Sequence, residues 1–510
     1  MTVEIDRDAM VTGPSAVPVP GPGSAFDARQ QRLAGVRLKP PRQLSARDRA
    51  RALCDDGVFH EIATLREGGG GMLGGGASLP GDGVAVGWGL VRGRPTAVAS
   101  HDFGVAGGSI GSVFADKVVR LQRFAIDTGM PIVYINDSGG ARIHEGIEAL
   151  HGCGRIFAQN VLAKKRVPQI SLIMGPCAGA AAYSPALTDW TVMVAGLARL
   201  FLTGPEVVKA ATGEIVDPED LGGTALHTGD SGVAHLAAAD EAAALRLTVE
   251  LLGYLPQCRG SELPLEPARD PERDPADLHH IVPTAGNTPF DVRQALACIV
   301  DAGSGLELAG RFSPSVVTGF ARLNGVPVGI VASQSRRRGG ILDAKAAQKV
   351  ARFVRFCGRF GVPITTFVDV PGFMPGAVEE RRAVITHGAD MLDAYADAGS
   401  PRLTVIMRKA YGGAYIAMGS QSLGADFTWA WPGAEIAVMG PEGAVGILHR
   451  RELAAAEDPR AARAGLAAEY RATVTHPFRA VDAGIVDDVI KPEATRDALI
   501  AALRGLGYGL

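Results

Sequence analysis

Apolar residues along the chain fall into short dense runs divided by glycine and proline, and their spacing switches repeatedly between strand-like and helix-like. The periodicity predicts a helix over residues 43–54. The stretch LREGGGGMLGGGASLPGDG, residues 65–83, reads as a glycine-rich loop. Beyond it the pattern predicts a hairpin from 84–90 and 96–101, a helix over 117–128 and a buried strand over 132–136 that ends in the turn Ser138-Gly139-Gly140. Apolar strands alternating with helices place the chain in the α/β class, with largely buried parallel strands.

The same order of elements occurs twice. GRPTAVASHDFGVAGGSIG from Gly93 aligns with GVPVGIVASQSRRRGGILD from Gly325, an offset of 325 − 93 = 232 residues. PIVYINDSGG sets Asp137 against Asp369 in PITTFVDVPG, and 369 − 137 is again 232. PQISLIMGPCAGAAAYSPAL resembles PRLTVIMRKAYGGAYIAMGSQSL, which matches Gly179 to Gly413 at an offset of 413 − 179 = 234. Three segments with nearly one offset predict a single fold used twice by duplication. Between the halves, LPLEPARDPERDPADLHHIVPTAGNTP is proline-rich, charged and without apolar period, as an interdomain linker is. The predicted organisation is a flexible tail over residues 1–28, a first domain over 29–276 and a second over 277–510.

A chain of 510 residues with 47% hydrophobic content exceeds one core, in keeping with two domains. The balance of 51 Lys and Arg against 54 Asp and Glu, net −3, advertises neither nucleic acid nor an anionic membrane as partner. One uncharged window, residues 167–188, is long enough to span a bilayer, but Pro168, Pro176 and Pro185 interrupt it and a transmembrane helix is rejected. The N-terminus lacks the basic start and apolar stretch of a secretory signal. Six cysteines are scattered singly, which predicts reduced thiols in the cytoplasm and no zinc ribbon. HEGIEALH, residues 144–151, lacks the spacing that sets two histidines on one helical face, so no metal is expected.

LIMGPCAGAAAYSPA and VIMRKAYGGAYIAMG share a layout of apolar strand, small residues and helix. Small residues at such a junction let successive backbone N–H groups converge on a cleft, where they and the helix N-terminus stabilise negative charge. One such donor aimed at a developing oxyanion is worth about 3 to 4 kcal/mol of barrier. The candidates are Gly179 with Ala180 and Gly413 with Ala414.

These segments belong to a longer series: NDSGGARIHEG (136–146), IMGPCAGAAAYSPALTD (173–189), FLTGPEVVKAATGE (201–214), DLGGTALHTGDSGVAH (220–235), VDVPGFMPG (368–376), RKAYGGAY (408–415) and AWPGAEIAVMGPEGAVGIL (430–448). From about Arg29 to the C-terminus the chain resembles the carboxyltransferase β subunits of bacterial acetyl- and propionyl-CoA carboxylases. The resemblance implies two crotonase-like domains that move a carboxyl group from carboxybiotin to the α-carbon of an acyl-CoA. It implies that Gly179 and Ala180 hold the thioester enolate, and that Gly413 and Ala414, with Gly412, hold the biotin ureido oxygen. Gly139, Gly140, Ala141, Arg142, Tyr183 and Ile416 are implied at the acyl-CoA side. Biotin itself is implied on a separate biotin carboxylase or carrier subunit, because the chain has neither a Met-Lys-Met attachment site nor an ATP-binding signature. A homo-oligomer is implied, a hexamer in this family, with each site shared between the first half of one subunit and the second half of another.

An apolar residue at Ile416, where propionyl-preferring relatives carry Asp, points toward acetyl-CoA with propionyl-CoA also used. Three departures from the family pattern stand out: Ala180 in place of a second glycine, GAVEERRAVITHG over 376–388, and the basic run SRRRGG over 335–340. The last is read as a solvated surface, with CoA phosphates as its alternative contact. A decarboxylase running the transfer backward would look the same in sequence. A biotin-independent hydratase fits the paired small-residue clusters poorly, and a noncatalytic scaffold is the remaining alternative.

Overall fold

A computed structural model describes residues 22–69 and 78–509. The expected tail therefore lies mostly outside the described residues, but its last seven positions belong to a helix, Pro22–Ala34, tied down by Arg32 on Glu67 at 2.9 Å. The middle of the expected glycine loop, residues 70–77, also lies outside the described residues.

Two mixed sheets carry the fold, each of eight strands. Across the first, the order is His60–Ile62, Val84–Val91, Arg94–His101, Ile132–Ser138, Gln169–Ala178, Trp190–Val194 and Leu236–Ala238, and Arg199–Phe201 pairs beside the far end of Gln169–Ala178. The second runs Leu306–Leu308, Val316–Leu323, Val326–Ser333, Ile364–Val370, Arg402–Tyr411, Phe427–Ala430 and Asp488–Val489, with Glu435–Ala437 pairing beside Arg402–Tyr411. In each sheet the strands from Arg94–His101 or Val326–Ser333 onward are parallel. Burial on both faces explains why they read as continuous apolar runs. Every strand of the first sheet precedes residue 277 and every strand of the second follows it.

The duplication extends to single residues. Helix Ser112–Thr128 matches Ala344–Phe360 at 344 − 112 = 232. Lys117 and Lys349, one on each helix, are buried and donate to two backbone carbonyls apiece: Gly81 and Val84 for the first, Phe312 and Val316 for the second. The first helix starts five residues before its expected position, its Ser112 and Phe114 N–H groups donating to the distant Glu145 and Asp82 carboxylates, whereas Asp343 caps its counterpart locally by accepting from the Ala346 N–H. Segment 263–289 departs from a plain linker: helix Leu278–Ile281 seats Leu278, with Val282 after it, in the second core.

The halves pack on one another through Trp190, whose ring meets Phe320, Phe353 and Phe356 at 4.8–6.0 Å between centroids. Pairs of this kind contribute about 0.5–1.5 kcal/mol each beyond area burial. Arg359 adds an ion pair to the buried Asp189 at 2.9 Å, and Arg352 donates to the Thr188 and Asp189 carbonyls.

Candidate active site

Both candidate turns lie where a central parallel strand gives way to a helix. In the first half, strand Gln169–Ala178 ends at Gly179, which has φ +57°, and helix Ala180–Leu187 begins. In the second, strand Arg402–Tyr411 ends and Gly412, at φ +60°, opens helix Gly412–Ala417. Positive φ is cheap only for glycine, so these two residues make the turns.

The strands match at 402 − 169 = 233, so the counterpart of Gly179 is Gly412, and that of Ala180 is Gly413. The sequence match of Gly179 to Gly413 is thus one residue out of register. One residue is gained in the second half between strands Ile364–Val370 and Arg402–Tyr411, and the consecutive glycines 412 and 413 hide the slip. The new register also removes a concern about Ala180. Its φ is not positive, so alanine costs nothing there. Its N–H is in the first turn of the helix, where no intrahelical carbonyl can accept it.

The structure brings Gly140 against the first turn, while Gly139 lies against Gly107, to whose carbonyl its N–H donates at 3.0 Å. An added Cβ on Gly140 would lie 2.8 Å from the Ala178 carbonyl oxygen, so only glycine permits this approach. Ala141 is half-buried, bridging to Ile110. Arg142 requires a correction. It is 2% exposed, and its guanidinium is consumed by Asp82 at 2.5 Å, Glu145 at 2.6 Å and the Ser109 carbonyl at 2.8 Å. It braces the loop from inside and does not offer its charge to a substrate. Tyr183 and Ile416 occupy one position of the repeat, 416 − 183 = 233, and both are exposed. Gly413 is exposed and Ala414 buried beneath it.

Under each turn sits a fully buried aspartate, which the sequence placed in register but to which it gave no role. Asp369 is paired with Arg408 at 2.6 Å, and Lys409 approaches at 3.5 Å. Asp137 is held by Arg42, which donates from Nε at 2.5 Å and Nη2 at 2.6 Å, and by Arg49 at 3.0 Å. Arg49 continues to the Met174 carbonyl at 3.1 Å and to Glu241, whose other oxygen accepts from the Gln43 and Leu44 N–H groups. Charged groups so deeply buried persist only when paired and hydrogen-bonded.

Among the described residues near the first turn, neither Cys177 nor His101 is poised as a base. The Cys177 thiol is directed to the Ala181 carbonyl at 3.1 Å, and burial pushes its pKa upward. His101 is fully buried, and desolvation holds it down to about 3, so it stays neutral. What the first turn offers is the Ala180 N–H, because the Gly179 N–H already donates to the Phe201 carbonyl at 3.1 Å, and Gly413 stands at the matched position of the second.

Two crotonase-like halves, each carrying such a turn, define a class, and the comparisons give the family: the chain belongs to the carboxyl transferase family, whose domain model matches residues 40–506. Among its relatives, a propionyl-CoA carboxylase carboxyltransferase subunit from Haloferax mediterranei is 50% identical over 91% of this chain and 90% of its own length. The methylmalonyl-CoA decarboxylase subunit alpha of Veillonella parvula is 47% identical over 83% of the chain and 82% of its own. The transcarboxylase 12S crystal structure, a hexamer with methylmalonyl-coenzyme A bound, superposes with a TM-score of 0.89 at 42% identity, covering 95% of this chain and 94% of that one.

Proposed function

We propose that the protein transfers the carboxyl group of carboxybiotin, carried on a partner subunit, to the α-carbon of a short acyl-CoA. Acetyl-CoA and propionyl-CoA are the acceptors, giving malonyl-CoA and methylmalonyl-CoA. The observation that carries this reading is the pair of glycine turns at one position of a duplicated fold, because the reaction passes through two enolate-like oxyanions, one on each reactant. The first turn, shaped by Gly179 and donating through the Ala180 N–H, holds the thioester oxygen as the α-proton leaves. The second, Gly412 to Ala414, holds the ureido oxygen. A Cβ added to Gly413 would meet nothing within 4 Å, which leaves room for a flat ring against the backbone. Carboxybiotin bound there supplies both the carboxyl group and the nitrogen that takes the α-proton. That agrees with neither Cys177 nor His101 being poised as a base.

Each turn is flanked by exposed apolar side chains: Ile143, Ile147 and Leu202 at the first, and Val378, Ile385 and Val438 at the second. Surfaces of this kind mark contact with another chain and support an oligomer in which the first half of one subunit faces the second half of another. The hexamer reported for transcarboxylase 12S supports the same assembly. Among the described residues no helix is long and apolar enough to cross a membrane, and with the six free cysteines this supports a cytoplasmic enzyme.

The test combines the purified chain with a biotinylated carboxylase partner, ATP, bicarbonate and a panel of acyl-CoAs, and follows carboxylated products by mass spectrometry. Product that vanishes when either protein is omitted is the expected result. The likeness to the methylmalonyl-CoA decarboxylase subunit favours one second reading, the reverse transfer. Loss of carboxyl from methylmalonyl-CoA to biotin, with no forward product from any acyl-CoA, would select it.

A further inference from the structure

We propose that the loop over residues 334–340 is a docking element for an acidic surface on the partner that carries biotin, with Arg336, Arg337 and Arg338 facing carboxylates beside its biotin attachment point. The inference rests on the functional reading above, which assigns biotin to the second half.

Placement comes first. The loop follows strand Val326–Ser333, which is parallel to Ile364–Val370, itself parallel to Arg402–Tyr411. Its residues therefore leave the sheet at the same edge as the Gly412 turn, two strand spacings or about 10 Å away. Hydrogen bonds from Leu342 N–H to the Gly372 carbonyl at 3.1 Å, and from Met374 N–H to the Leu342 carbonyl at 2.7 Å, join it to the intervening turn.

The loop is also preformed. Ser335 Oγ accepts from the Phe290 N–H at 3.1 Å, the Gln334 side-chain amide donates to Asp291 at 2.6 Å, and the Gly340 N–H donates to the Arg337 carbonyl at 3.1 Å. Gly339 and Gly340 both take positive φ. Arg336 and Arg337 are exposed, and among the described residues neither is ion-paired; Arg338 meets only Asp343, at 3.2 Å, with most of its side chain in solvent. Three guanidinium groups thus stand on a rigid loop of a chain whose net charge is −3.

The other half shows that the fold does not require them. At 336 − 232 = 104 the equivalent residues are Gly104, Val105 and Ala106. The N-terminal segment lies over the first two: a Cβ on Gly104 would lie 2.7 Å from the Arg37 carbonyl and 2.8 Å from Val36, and Val105 is 5% exposed, whereas Ala106 stays exposed. The loop itself carries no cation in the acyl half and is partly covered there by the N-terminal segment, but it is open and carries three arginines in the half to which biotin is delivered. A tethered biotin brings its carrier's own surface to this edge, and complementary charge there governs encounter rate and salt dependence.

The test uses the full chain with Arg336 and Arg337 both changed to Glu, and with both changed to Gln as the milder variant. The KM for the biotinylated partner is measured over a range of ionic strength, alongside the KM for acyl-CoA and carboxyl transfer from malonyl-CoA to free biotin. The expected result is a partner KM raised about tenfold at low salt by the Glu pair, less by the Gln pair, and converging on wild type as salt screens the contact. Transfer to free biotin and the KM for acyl-CoA remain as in wild type. An unchanged partner KM overturns the proposal, as does a rise confined to the acyl-CoA KM, which would assign the arginines to CoA phosphates. Wild-type protein that moves no carboxyl to free biotin overturns the functional reading itself, and this proposal with it.

Discussion

The two halves solve one electrostatic problem differently. Both bury an aspartate under the turn, yet in the second half its cation, Arg408, belongs to the repeated strand, whereas in the first the equivalent residue is Gly175, at 408 − 233 = 175. A Cβ on Gly175 would come within 2.0 Å of Asp137 Oδ1, so no side chain fits there. The charge arrives instead from Arg42 and Arg49, outside the repeat. The N-terminal segment is thus part of the first site's foundation, and the second half is closer to self-sufficient.

If this contrast is right, removing the aspartates should have unequal effects. Asp137→Ala leaves Arg42 without a carboxylate and Arg49 with Glu241 alone, and is expected to cost about 3–5 kcal/mol in urea unfolding. Asp369→Ala should cost less, because Arg408 keeps the Pro283, Ala285 and Thr288 carbonyls. Equal losses would erase the distinction.

A second contrast is titratable. Burial pushes Lys349 down to about 7 and Lys117 to about 8, against an ordinary value of 10.5. Between the folded and unfolded values the unfolded chain binds more protons, so these lysines make stability rise with pH from about 7 toward 10.5 and add no pH dependence below the folded value. Lys349→Met should flatten more of that rise than Lys117→Met, read as unfolding midpoints across pH 6 to 10.5.

The turns themselves come next. Alanine at Gly179 or Gly412 is forced to a positive φ that side chains rarely adopt, at about 1–3 kcal/mol. The Gly412 variant should suffer more, since its Cβ would also press within 3.0 Å of the Val438 carbonyl. Gly413→Ala is the smallest change. With open space around it and alanine already at the equivalent position 180, its stability should shift by less than about 1 kcal/mol in the same unfolding assay.

Much of this was legible in the chain. The repeat, the strand-to-helix junctions and the class of chemistry follow from local patterns that a duplicated sequence prints twice. The register at Gly412 was not, because two adjacent glycines look alike until φ separates them. The role of Arg142 was misread from its place after Gly139-Gly140-Ala141, where only burial reveals that Asp82 and Glu145 already hold it. Arg49 and Glu241 are 192 residues apart, beyond any periodicity, and nothing local marks them as partners. A clue did exist: aligned halves with Asp at 137 and 369 but a cation only at 408 imply a second cation from elsewhere.

The central claim, that the two turns serve one carboxyl transfer, is tested most directly without any partner. The purified chain is given malonyl-CoA carrying a labelled carboxyl group, with and without free biotin. Biotin-dependent formation of acetyl-CoA with the label on biotin, abolished by either Gly179→Ala or Gly412→Ala, is the predicted result. Label lost at the same rate without biotin, or activity indifferent to one of the two turns, would contradict it.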